Sequence, residues 1–355
     1  MIVIGAGVIG LAVALELRKR GLSVLVVEKG QAAREASWAA GGMLADCPLE
    51  MPTALHSLAA ASARMYPDFV RELETESGIA VDLRSEGTLF FSSEEGGDLS
   101  AKYQLPRPLR QLEPDFCVPS SWPVCLFLKE RSVDPRGLTE ALFAMAKKRG
   151  VEFLLNAPVR EIELKDGASV HANDDRFSAG GVVNCAGAWA GEISPVPLPT
   201  RPVKGQMLSL AMPRKEFLRH VVRTADVYLI PRSDGRLVVG ATSEDAGFDK
   251  TLVPTTIEKQ RQAAVRLVPE LASARVVETW SGLRPGTPDK LPILGATSSP
   301  GYFVATGHYR DGILLAPVTA RIIGDVVCGQ KPQIDLVAFS AERFVKTAVE
   351  YGHTA

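Results

Sequence analysis

The stretch Gly5-Ala6-Gly7-Val8-Ile9-Gly10 constrains this chain most. It follows an apolar run, Met1 to Ile4, and precedes a helical pattern in which Leu11, Ala14, Leu15 and Leu17 recur at three- and four-residue spacing. An uninterrupted apolar run that ends at a glycine suits a strand buried on both faces of a parallel sheet. The helix closes with Arg18-Lys19-Arg20-Gly21, cations in the last turn and a glycine free to turn left-handed beyond it. A second strand, Ser23 to Val27, ends in Glu28, 18 residues after Gly10.

Each part of this unit has a physical task. Gly5 permits the tight turn, Gly7 lets backbone approach a pyrophosphate, and Gly10 lets the helix pack closely on the strands. The helix start offers unpaired N–H groups and a partial positive charge to an anion. Glu28 would accept hydrogen bonds from ribose hydroxyls and repel a 2′-phosphate, which disfavours NADP. Strand, glycines, helix, strand and acid in register predict a dinucleotide along Gly5, Gly7, Val8, Ile9, Gly10, Glu28 and Lys29. A secretory leader is the competing reading of an apolar start, but it needs basic residues first, and here Arg18, Lys19 and Arg20 follow.

With 355 residues the chain is long enough for two domains. A net charge of -1 and the absence of a basic run give no field for nucleic acid or an anionic membrane. No run of 18 uncharged apolar residues is present, so no membrane span is expected. Cys47, Cys117, Cys125, Cys185 and Cys328 are dispersed, which reads as reduced thiols of a cytoplasmic protein and as no metal site.

Small residues crowd the stretch Glu35 to Leu44, as backbone passing close to a flat ring system requires; Ser37, Ala40, Gly41, Gly42 and Met43 are the candidate contacts. A second segment opens with Asp134-Pro135-Arg136-Gly137 and a helix to Arg149-Gly150, followed by strands Val151–Leu155 and Val159–Leu164, with Val159 a cofactor candidate. A buried strand then enters a small-residue turn that carries Cys185, Ala186, Gly187 and Trp189. A third segment runs from Tyr302 through His308 into an apolar helix from Gly312 to about Val327. Its start, with His308, Gly312, Ile313 and Leu314, could aim a helix N-terminus at a flavin's pyrimidine edge, favouring the negative charge that builds there on reduction. His308 reads as a loop residue and not as a base. Between these segments lie short β-like runs: Gly87–Ser92, Met207–Leu210, Val227–Pro231 and Leu237–Gly240, the last two joined by a hairpin turn at Ser233–Arg236. The fold class expected is therefore α/β. A discontinuous FAD domain (1–45, 134–195, 290–355) interleaves with a mostly antiparallel α+β substrate domain (46–133, 196–289).

From Ile2 to about Phe344 the chain resembles the D-amino acid oxidase superfamily, most closely the bacterial glycine oxidases of thiamine biosynthesis. The stretches that carry the resemblance are VIGAGVIGLAVALELRKRG, SWAAGGML, VVNCAGAWAG, DVYLIPR, SGLRPGTPDKLPILG and GHYRDGILLAPVTA. The resemblance implies a Rossmann-like FAD domain with the flavin's reactive face toward the substrate domain. It implies that Arg284 grips the substrate carboxylate, that the Tyr228 hydroxyl assists, and that Arg310 stands at the same site. A guanidinium fork suits a carboxylate through two parallel charged bonds, which lysine cannot copy.

By the same resemblance, a small amino acid is oxidised to its imine with no acid or base residue required, oxygen accepts the electrons as hydrogen peroxide, and the protein is a homo-oligomer, a tetramer in the family. A cysteine near Ser281 would tether the flavin as in sarcosine oxidases; Thr279, Trp280 and Ser281 contain none, so the FAD is expected to be non-covalent. D-amino acid dehydrogenase, a sarcosine oxidase-like enzyme, a tRNA-modifying flavoprotein and a regulatory FAD module remain open, as does the choice among glycine, sarcosine, D-alanine and D-proline.

Overall fold

The first strand, Ile2–Ile4, lies in the middle of a six-stranded sheet in the computed structural model, which describes residues 1–92, 101–117, 124–164, 167–214 and 216–344. The tail from residue 345, within the segment expected as 290–355, falls outside them. Leu25–Val27 and Val182–Asn184 flank the first strand in parallel, Ile2 pairing with Leu25 on one side and Val182 on the other. Glu152–Leu154 and Tyr302–Thr306 extend the sheet in parallel, and Ile293–Ala296 forms an antiparallel edge. Because the chain departs to both sides of the first strand, the connections separate there and leave a crevice beyond its carboxyl end.

Three helices expected from the sequence cover one face of this sheet. Val8–Lys19 buries Leu11, Val13, Ala14 and Leu17 completely. Gly10 is where helix meets strand: a Cβ there would overlap the Gly5 carbonyl. Gly312–Val327, at the residues the pattern predicted, packs beside it. The helix Pro135–Lys148 starts on Asp134, whose carboxylate accepts from Arg136 N at 3.0 Å. A fourth packing partner was not foreseen. His56–Ser77, inside the segment assigned to the substrate side, places Leu58, Ala59, Ala63, Tyr66 and Leu73 in the same core as Val3 and Leu11. Its Ser62 hydroxyl donates to Leu314 O at 2.6 Å, and the Tyr66 hydroxyl to Ile313 O.

The second sheet has seven strands in the order Val276–Gly286, Arg201–Ala211, Arg236–Gly240, Tyr228–Pro231, Val221–Arg223, Thr88–Ser92, Val124–Leu128. It is antiparallel except between Val221–Arg223 and Thr88–Ser92. The hairpin turn is present, with Gly235 at φ +90. The alternating pattern buries Leu208, Leu210, Leu229, Leu237 and Val239 together on one face. Residues 159–179 differ from expectation: Val159–Glu163, Ala168–Ala172 and Asp175–Ala179 form a separate antiparallel sheet that packs on Ile2, Ile4 and Val182. A further small sheet joins Met43–Leu44 and Leu83–Arg84 to Arg131–Val133. All five cysteines are free. No helix among the described residues is long and apolar enough to cross a membrane.

Candidate active site

A cavity of about 420 Å³ opens where the parallel strands end. Ile4 and Gly5, Val27 and Glu28, Cys185 and Ala186, and Ala305 and Thr306 bring the carboxyl ends of four adjacent strands to it. The far wall comes from the seven-stranded sheet: Gly205, Met207, Tyr228, Gly282 and Arg284.

The glycine loop is built for an anion. Helix Val8–Lys19 has no side-chain cap on Gly7 and no acid in its first turn. The Ser37 hydroxyl accepts from Val8 N at 2.9 Å, which leaves its own proton free for a phosphate oxygen. A Cβ on Gly7 would press on Ser37 Oγ, and one on Gly5 would collide with the Cys185 carbonyl carbon at 2.9 Å. Glu28 lines the cavity but already accepts from Ala6 N at 2.7 Å and Gly30 N at 3.0 Å. Its carboxylate thus holds the glycine loop in shape, with lone pairs left for ribose hydroxyls. Lys29 lies over the Trp189 ring and pairs with Glu35 at 3.2 Å. This end of the cavity is long, polar and partly aromatic, as the adenosine half of a dinucleotide requires, and the loop, cradle and donors fit FAD.

The predicted cofactor residues line one cavity: Gly5, Gly7, Val8, Ile9, Glu28, Lys29, Ser37, Ala40, Gly41, Gly42, Met43, Val159, Cys185, Ala186, Gly187, Trp189, His308, Arg310, Gly312 and Ile313. Two do not. Gly10 lies behind Gly5, where its role is close packing. Leu314 is buried, because two residues on from Gly312 a helix has turned about 200° and faces the core. Cys185 is buried, and desolvation drives its thiol pKa well up, so it stays a protonated thiol. Burial likewise lowers His308 to about 3; its Nε2 lies 3.1 Å from Thr319 Oγ1, and it is a neutral ring at ordinary pH. Asp311, at the start of the Gly312 helix, is pushed up to about 6 by burial, against the opposing pull of Arg310 and Arg223.

At the other end, Arg284, Tyr228 and Arg310 line the same space. Arg284 Nη1 donates to Thr242 O at 3.0 Å and approaches Lys204 O at 3.5 Å. Neither Arg284 nor Arg310 forms an ion pair among the described residues. Tyr228 is buried with its hydroxyl 3.7 Å from Met207 Sδ. Burial raises its pKa, with Arg284 and Arg310 pulling the other way, so it remains a neutral donor. The site therefore holds guanidinium groups without a carboxylate, beside a hydroxyl.

Gly205, Met207, Gly282, Pro285 and Tyr309 also line the cavity and were not singled out from sequence. A signal existed for the glycines: Gly205 and Gly282 pair across the two longest strands, and a Cβ on either would strike Arg284 or Ala39. Tyr309 has φ +48, unusual for an aromatic residue, and its amide donates to Pro285 O at 2.9 Å.

The model of the FAD dependent oxidoreductase family (DAO) matches residues 1–326. A glycine oxidase of Pseudomonas aeruginosa is 34% identical over 352 residues, covering 94% of this chain and 96% of that protein. The bifunctional protein ThiO/ThiG of Trichormus variabilis is 35% identical over 98% of this chain, but the chain spans only 55% of that protein's length. The crystal structure of glycine oxidase from Geobacillus kaustophilus superposes with a TM-score of 0.89 at 31% identity, over 96% of this chain and 97% of the other. Fold, cavity and likeness agree, and the chain belongs to the FAD-dependent oxidoreductase family.

Proposed function

We propose that this protein oxidises a small amino acid, glycine foremost, with FAD held non-covalently in the cavity and oxygen as the electron acceptor. One observation carries the reading: Arg284 faces the cavity with its charge unmatched by any described carboxylate, beside the Tyr228 hydroxyl. A half-buried guanidinium with no carboxylate partner is a ready site for an anion, and a substrate carboxylate would supply the partner. The likeness to proteins named glycine oxidase supports glycine as the substrate.

When bound, FAD supplies the two-electron oxidant and the route to oxygen. The chain's own residues do the rest. Gly5, Gly7 and the start of helix Val8–Lys19 hold the pyrophosphate, and Glu28 the ribose. Arg284 and Tyr228 orient the carboxylate, with Arg310 adding charge at the rim. His308 is neutral and Glu28 is engaged with backbone, so neither serves as a strong base. The amine must therefore enter uncharged, and catalysis rests on orientation. The C–N bond becomes an imine, two electrons and two protons pass to oxygen as hydrogen peroxide, and water hydrolyses the imine to an oxo acid and ammonia.

The division into a discontinuous FAD unit (1–45, 134–195, 290–355) and a substrate unit (46–133, 196–289) belongs to the same proposal. The packing of His56–Ser77 on the FAD core modifies it, bringing that helix to the FAD unit. A cytoplasmic homo-oligomer, a tetramer by the resemblance, and a role in thiamine biosynthesis complete the reading; the likeness to a protein named ThiO/ThiG supports the last. A panel of glycine, sarcosine, D-alanine and D-proline with peroxide detection tests it. Glycine should yield peroxide with the highest kcat/KM; no peroxide from any of the four would sink the proposal.

A further inference from the structure

The segment Trp38–Gly42 is held by three side chains, none of which lines the cavity. Arg136 Nε donates to Trp38 O at 3.3 Å, Trp280 Nε1 to Ala39 O at 3.1 Å, and Arg232 Nη2 to Gly41 O. Ala39, Ala40, Gly41 and Gly42 form part of the cavity wall. The three donors come from a helix start, a long strand and a hairpin, so the loop's shape is fixed by the fold around it.

Arg232 differs from the other two. Arg136 pairs with Glu278 at 2.6 Å, and Trp280 carries no charge. Arg232 is 2% exposed, makes no ion pair among the described residues, and leaves Nη1 with no hydrogen-bond partner. The carboxylates that act on it are engaged elsewhere. Asp134 bonds Arg236 at 2.7 Å and Arg136 N, while Asp82 bonds Ser233 N at 2.9 Å and its hydroxyl at 2.6 Å. Desolvation lowers the Arg232 pKa to about 10, which leaves it charged at neutral pH. A buried charge this poorly matched is costly unless something gains from it. Its field reaches the cavity: together with Arg284 and Arg310 it bears on the buried Tyr228 hydroxyl.

We propose that Arg232 is a positioning residue for the flavin, fixing Gly41 in the cavity wall and lending a buried positive charge that favours the reduced, more negative cofactor. The inference rests on the reading of this cavity as the FAD site. Reduction adds negative charge to the cofactor, and a fixed cation in a low-dielectric wall stabilises it without reorganisation. Gly41 sits close to the sheet: a Cβ there would meet Ile230 Cδ1 at 2.8 Å and displace it. Trp38 and Ala39 pack against Trp280, while Gly41, with no side chain, is placed through its carbonyl bond.

The test uses the FAD-loaded enzyme and sulfite, whose affinity for oxidised flavin reports positive charge nearby, together with the flavin reduction potential and FAD affinity. Arg232→Gln keeps a donor and removes the charge. It should weaken sulfite about tenfold and lower the potential. Arg232→Lys keeps the charge and should hold sulfite affinity to within about threefold of the parent. Asp82→Asn leaves Arg232 untouched and removes an opposing carboxylate, so sulfite should bind about twofold tighter. Unchanged sulfite affinity and potential in Arg232→Gln overturn the inference. If that variant does not retain FAD, Asp82→Asn decides: tighter sulfite supports the role, and no change overturns it. Gly7→Val separates the underlying reading, because undiminished FAD binding in that variant would place the cofactor outside this cavity.

Discussion

Arg284→Lys and Arg284→Ala measure the carboxylate grip directly. In the structure one arm of the guanidinium, Nη1, is occupied by the Thr242 carbonyl at 3.0 Å. The rest of the fork faces the cavity without an anionic partner. A charged hydrogen bond is worth about 1.5–3 kcal/mol, so the loss of two parallel bonds to a carboxylate should cost about 4 kcal/mol. That corresponds to about a thousandfold loss of kcat/KM for glycine in Arg284→Ala. Arg284→Lys restores the charge but not the fork, and should recover roughly half the energy, leaving about a thirtyfold deficit. FAD affinity should move by no more than about twofold, because the side chain stands on the seven-stranded sheet, away from the glycine loop. Gly205→Ala gives an independent arm: a Cβ there would lie 2.7 Å from Arg284 Cζ and must push the guanidinium aside. It should raise KM about tenfold while keeping every charge. Peroxide-coupled steady-state kinetics and fluorescence titration of FAD are the assays. A kcat/KM within about threefold of the parent in Arg284→Ala, with FAD retained, would remove Arg284 from the substrate site.

Other expectations follow from the same geometry. Burial lowers the folded pKa of His308 from the ordinary 6.5 to about 3, so the unfolded chain binds the extra proton and stability is lost as pH falls from about 6.5 toward 3. The loss amounts to at most about 5 kcal/mol, and it should vanish in His308→Asn when chemical denaturation is followed across that range. Gly10→Ala should destabilise the helix–strand contact and release FAD, seen as a lower melting temperature and a lower flavin-to-protein ratio; an unchanged melt would contradict the overlap with the Gly5 carbonyl. Acid precipitation should leave all flavin absorbance in the supernatant, since Cys185, the cysteine that lines the cavity, is a buried protonated thiol; flavin in the pellet would reverse the non-covalent assignment.

The parts of the site legible in the sequence are those whose chemistry is local. The glycine loop, its helix and Glu28 lie within a few turns of one another, and strand or helix periodicity sets their directions. The helix from Gly312 was legible to its last residue because Gly312 opens and Val327 closes one apolar stretch. The resemblance named Arg284, Tyr228 and Arg310, which no spacing rule would have joined. What stayed hidden depends on contacts between distant segments. Arg232 meets Gly41 across 191 positions and Trp280 meets Ala39 across 241, so nothing in either neighbourhood announces the pair. The helix His56–Ser77 was not read as part of the FAD-side core because its apolar face fits any core, and what ties it there is distant in sequence: its packing with Val3 and Leu11 and the Ser62 and Tyr66 bonds to the Gly312 helix. The separate sheet from Val159 was missed beyond its first strand because Ala168–Ala172 is short and rich in small residues.

In the proposed reaction one cavity presents a small amino acid to FAD and lets oxygen take the electrons. Anaerobic rapid mixing of the FAD-loaded protein with glycine, followed by a second mixing with aerated buffer, tests it in one experiment. The oxidised flavin absorbance should be lost with glycine alone, then return on the timescale of turnover with one hydrogen peroxide formed per flavin. Failure of glycine, sarcosine and D-alanine to bleach the flavin would contradict the substrate reading. Rapid bleaching followed by reoxidation much slower than turnover with an artificial dye would contradict the oxidase reading and make the protein a dehydrogenase.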